Sequence, residues 1–160
     1  TASPDINISI MGYTDTPKTT GSKETSTLIQ TLTDFKSPPT ILAKSLQRIA
    51  AHGLHTGATP TGEAIMHAIR LLAPRQDTMQ IILLLTDGKP NNQENTEAAI
   101  RMADSLGIML ITIEIGNHNI PQTRNGICET ASSTEEIPIK IEQALIKAIA
   151  QKKRPAAKQA

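Results

Sequence analysis

The sequence predicts a right-handed, mostly parallel α/β sheet, and two observations carry that prediction. The first is an apolar run without alternation, Ile81-Ile82-Leu83-Leu84-Leu85, inside MQIILLLTDGKPNN at 79–92. Such a run suits a strand buried on both faces, as in a central parallel strand covered by helices. The second is alternation: strand-like runs and amphipathic helical segments follow one another at the intervals expected of strand–helix–strand units. The 160 residues suffice for one domain with a real core and are too few for two.

Each element has a local reason. At 5–13, DINISIMGY alternates Ile6, Ile8 and Ile10 with Asn7 and Ser9, a strand pattern. Residues 14–23, rich in Thr, Pro and Gly, read as a loop or hairpin connection. For 24–35, Leu28, Leu32 and Phe35 fit helical spacing, but the threonine content favours an extended edge strand. Thr40 can cap a helix over 41–51, where Ile41, Leu42, Leu46, Ile49 and Ala50 share a face. GLHTGATPT at 53–61 is a loop, and Ile65, Met66, Ile69 and Leu72 mark a helix over 62–72 that ends before Pro74. After the apolar strand, Ala98, Ala99, Met102 and Leu106 define a helix over 95–106, with Gly107 as its stop. IMLITIEIG at 108–116 is a second buried strand, 117–125 a polar loop or short helix, and 126–132 a short last strand. A final helix runs from Thr134 to about Gln151, capped by Ser133 or Thr134. The basic tail KKRPAAKQA at 152–160 reads as a solvated terminus.

Composition excludes several function classes. Sixteen Lys and Arg against fifteen Asp and Glu leave a formal charge of +1, so no global field invites nucleic acid or an anionic membrane. Tyr13 and Phe35 are the only aromatics, which removes a base-stacking platform. A single cysteine, Cys128, excludes an internal disulfide and suits a reducing compartment; it reads as a small buried side chain rather than a nucleophile. No apolar run reaches membrane-span length. These features lead to the expectation of a cytoplasmic protein with neither nucleic-acid nor membrane partners.

Two loops look chemically purposeful. Gly57-Ala58-Thr59-Pro60-Thr61-Gly62 stands directly before a helix, and Thr86-Asp87-Gly88 ends the apolar strand. Open α/β sheets place their ligands at the carboxyl ends of strands. If both loops lie on that edge, Thr59 and Asp87 offer a hydroxyl and a carboxylate to a hard cation such as magnesium. The plainer alternative has Thr59 or Thr61 capping the helix and Asp87 making a turn. Asp15 fits a turn; His52 and His55 lack Cys, Asp or Glu neighbours for zinc; His67 and His118 read as satisfied polar positions. Nucleophile-elbow, phosphate-loop and dinucleotide signatures are missing from the sequence.

GATPTGEAI followed by IILLLTDGKPNN resembles the second and third metal-site motifs of von Willebrand factor A domains. The key positions stand 87 − 59 = 28 residues apart. AAIRMADSLGIMLITIEIG resembles the family's next helix and strand, and DINISIMGYTD its second strand, with Tyr13 where Phe is usual. The resemblance spans almost the whole chain. It implies a doubly wound, Rossmann-type sheet flanked by helices, whose carboxyl edge carries a metal-ion-dependent adhesion site. By motif, Thr59 would be the threonine ligand and Asp87 the aspartate, holding magnesium or manganese.

One departure is sharp. The family's first strand ends in Asp-x-Ser-x-Ser, which occurs nowhere in this sequence, and Asp104-Ser105 stands in a helical context. The reading is therefore a partial domain over 1–151, followed by the tail 152–160 and lacking the first central strand, with metal binding weak or absent in this chain. Loss of that strand would leave unpaired backbone groups costing on the order of 1–3 kcal/mol each if buried. The expected function is metal-dependent protein binding, not catalysis, with a partner carboxylate completing the cation's shell. The chain looks like intracellular bacterial or phage-type members, which resemble subunits that work beside AAA+ ATPases, such as chelatase components and the activator of nitric-oxide reductase; the partner would be an ATPase ring or its client. The alternatives are a metal-free structural remnant and a hydrolase or phosphotransferase using Asp87.

Overall fold

The structure is a computed structural model and describes residues 9–17, 25–33, 59–75, 79–116, 120–124 and 126–152. The chain divides into two compact units, Thr1–Pro60 and Thr61–Ala160. The first half of the strand expected at 5–13, with Ile6 and Ile8, the expected helix at 41–51, His52, His55, His118 and the tail beyond residue 152 lie outside the described residues.

In the first unit, β1 (Ile10–Pro17) pairs antiparallel with β2 (Thr25–Thr33), in a register from Ile10↔Thr33 to Pro17↔Thr25. The strand expected over 24–35 is thus present. The loop expected from Thr14 begins later, because Thr14–Pro17 continue the ladder: β-branched threonine favours extended backbone, and β2 supplies the pairing. Asp15 accordingly stands in a ladder opposite Thr27, not in a turn.

The second unit holds α1 (Thr61–Leu72), β3 (Ile81–Thr86), α2 (Gln93–Ser105), β4 (Met109–Ile115), β5 (Ile127–Ala131) and α3 (Ile137–Lys152), the last entered through a 3₁₀ turn at Thr134–Glu136. Its strands form a parallel sheet in the order β3-β4-β5, with Ile81↔Met109 and Ile111↔Ile127 in register. The α/β architecture expected from the sequence is what the chain adopts.

Side chains alternate across a strand, so β4 serves two cores. Ile111 and Ile113 meet Ile127 and Ala131 of β5 and Ala144 and Ala148 of α3, all buried. The alanines present little bulk, which lets the helix settle close to the sheet. On the other face Leu110 and Thr112 of β4 and Ile82 and Leu84 of β3 are buried; α1 packs against β3, α2 against β4, and the helices against each other.

β3 departs from expectation. Ile82, Leu84 and Thr86 are buried, but Leu83 and Leu85 are 41% and 42% exposed. They share the face of Ile111 and Ile113, which α3 covers over β4 and β5. An unbroken apolar run reports that both faces are greasy, not that both are covered.

Helix boundaries follow local chemistry. Asn92 caps α2: its side-chain oxygen accepts from the Asn95 amide at 3.0 Å, and its carbonyl accepts from the Thr96 hydroxyl at 2.8 Å. Gly107, at φ +70°, ends the helix as its sequence position promised, with the Ile108 amide donating back to the Ala103 carbonyl. Ser133 occupies the N-cap of the 3₁₀ turn without a side-chain cap bond; instead Glu136 reaches back to accept from the Ser132 amide at 2.9 Å.

Candidate functional site

The site is built at the carboxyl end of β3. Thr86, the strand's last residue, is 5% exposed and lies in register with Glu114 of β4. Its hydroxyl donates to the Gly88 carbonyl at 3.2 Å and accepts from the Gly88 amide at 3.4 Å. One side chain thereby closes the turn 86–88 on both its donor and its acceptor. Asp87 sits in the middle of that turn, exposed, and Lys89, Asn91 and Asn92 continue an exposed loop into α2.

Thr59 and Asp87 belong to different compact units. Thr59 is half-buried and two residues ahead of α1; Asp87 stands in the second unit at the start of the loop just described. Thr61 is not a flanking cap but the first residue of α1, fully buried.

The loop after β3 leads to a close meeting of two helix N-termini. A Cβ on Gly62 would lie 2.8 Å from the Asn95 carbonyl carbon and from the Thr96 amide nitrogen, so only glycine permits this approach of α1 to α2. Asn95 donates to Glu63 Oε1 at 3.2 Å, fastening the pair, while Glu63 Oε2 is buried with no hydrogen-bond partner among the described residues. A carboxylate in the first turn of a helix also complements the helix dipole. The sequence reading places Gly62 at the junction of loop and helix and does not foresee this close approach.

A second carboxylate stands near the same sheet edge. Glu114 is 3% exposed; it accepts from the Ile120 amide at 2.8 Å and from the Cys128 thiol. This bond, with the Arg124 amide reaching Asp104 at 3.4 Å, ties down the crossing from β4 to β5. Cys128 is partly rather than fully buried, and desolvation first, then Glu114 and Glu129, push its thiol up to about 11. Among the described residues, no three His, Cys, Asp or Glu side chains gather as a metal cluster, and His67 lies half-buried on α1.

A family model of the von Willebrand factor type A domain matches residues 3–147. The chain belongs to that family. The match covers both compact units and includes every motif discussed above. Among curated proteins, none gave a significant match. Type A domains are in general protein-interaction modules, often metal-dependent. Asp87 is an exposed carboxylate and Thr59 carries a hydroxyl, both oxygen groups of the kind hard cations accept. The Asp-x-Ser-x-Ser element is not in the sequence, so these two donors are what the motifs supply. No described helix is long and apolar enough to cross a membrane.

Proposed function

We propose that this A domain is a metal-ion-dependent protein-binding module, in which Asp87 and Thr59 hold magnesium or manganese and a partner's carboxylate completes the shell. The observation that carries the reading is Asp87 itself: an exposed carboxylate at the carboxyl end of a parallel strand, in a fixed turn, inside the family's motif. A hard cation accepts such ligands while keeping waters, which leaves positions for an incoming carboxylate. By family analogy the partner is a AAA+ ATPase or its client, and the setting cytoplasmic. The hydrolase or phosphotransferase reading asks for a second acid or base beside Asp87, and no observation at the turn favours it.

Isothermal titration of the full chain with magnesium tests this, with Asp87→Ala as control. Heat in the wild type that is lost in the variant is expected. Absence of heat in both would remove the cation from the account and favour a metal-free remnant, in which Thr59 and Asp87 only shape loops.

A further inference from the structure

We infer that Thr86 is the positioning residue of the site, its buried hydroxyl acting as a two-way clamp that aims Asp87. This deepens the proposed function and rests on it for the identity of the ligand, but the clamp itself stands on separate geometry. An exposed aspartate after a strand is ordinarily free to sample several turn conformations, and a carboxylate that wanders binds a cation weakly. Here the residues on either side of Asp87 are joined: Thr86 Oγ1 both donates to and accepts from Gly88, at 3.2 and 3.4 Å. Thr86 is anchored in turn by burial at 5% exposure and by its ladder position beside Glu114. Burial removes competing water from the hydroxyl, and a threonine hydroxyl supplies the one donor and the acceptor lone pair that Gly88 demands. Valine has the same shape and neither function.

The discriminating variants are Thr86→Val and Thr86→Ser. A valine variant keeps the side chain's shape and loses both bonds to Gly88, so thermal stability is unchanged or lowered, which a purely structural threonine would show as well. A clamp predicts two further changes. The Gly88 amide, followed by NMR hydrogen exchange without metal, exchanges roughly tenfold faster in Thr86→Val, and apparent magnesium affinity falls roughly threefold to tenfold, the worth of one ordinary hydrogen bond. Thr86→Ser restores both. Unchanged Gly88 exchange in Thr86→Val overturns the clamp. Faster exchange with unchanged magnesium affinity overturns the aiming role. If the wild type binds no magnesium while Gly88 exchange still accelerates, the proposed function and the aiming role fall together, and Thr86 is a turn lock alone.

Discussion

Gly62→Ala is the most demanding test of how the two helices before and after β3 are assembled. The new methyl would stand 2.8 Å from the Asn95 carbonyl carbon and the Thr96 amide nitrogen, and 3.0 Å from the Asn95 oxygen. These are backbone atoms of the first turn of α2, which Asn92 caps, so no side chain can swing aside to make room. The helices must part by several tenths of an ångström, stretching the Asn95–Glu63 hydrogen bond as they do. Overpacking of this kind costs about 1–3 kcal/mol. Replacing glycine by alanine in a helix returns about 0.5–1 kcal/mol. The net expectation is a loss of about 1–2 kcal/mol, which in a domain of this size lowers Tm by roughly 3–8 °C. Urea unfolding followed by circular dichroism reads it as a lower midpoint with an unchanged slope. A variant as stable as the wild type, or more so, would show that α1 and α2 do not meet at Gly62.

Other expectations concern the cap and the thiol. Asn92→Ala should cost about 1 kcal/mol of stability in the same unfolding assay, because the Asn95 amide loses its acceptor, whereas Asn92→Asp should keep it. Cys128, whose thiol is raised from 9.0 to about 11, should react with iodoacetamide at pH 8 roughly 100-fold more slowly than an unperturbed thiol. Because the folded value lies above the unfolded one, the thiol's contribution to stability is fully present below pH 9 and is lost as pH rises through about 11. Cys128→Ser should flatten that part of the stability profile.

The sequence made the fold legible wherever one residue's chemistry decided the outcome. Gly107 ends α2 because its φ of +70° suits glycine, and the continuous apolar runs mark β3 and β4. What escaped depends on partners distant in sequence. Leu83 and Leu85 read as buried because hydropathy carries no record of where α3 lies. Gly62 looked like an ordinary loop-to-helix junction because its reason, the backbone of Asn95 and Thr96, stands far along the sequence. Threonines at 14–17 looked like a loop because a ladder exists only once β2 is in place. At the site, Asp87 stood out through its motif, while Thr86 did not. Its signal, a hydroxyl residue at a strand end two positions before a glycine, is common in turns and becomes meaningful only when burial is known. Glu114 drew no notice within IMLITIEIG, because its role of holding the chain at Ile120 depends on the loop that follows.

The central proposal is that Asp87 and Thr59 are ligands of a hard cation. Manganese provides the most direct measurement, since it is the paramagnetic counterpart of magnesium and broadens NMR signals of nearby nuclei. Titrated into the full chain, it should broaden the amides of Asp87, Gly88 and Thr59 together. Excess magnesium should reverse the effect, and Asp87→Ala should abolish it. Broadening scattered over surface carboxylates such as Glu97 and Glu142, or centred on Asp87 with Thr59 untouched, would contradict that proposal.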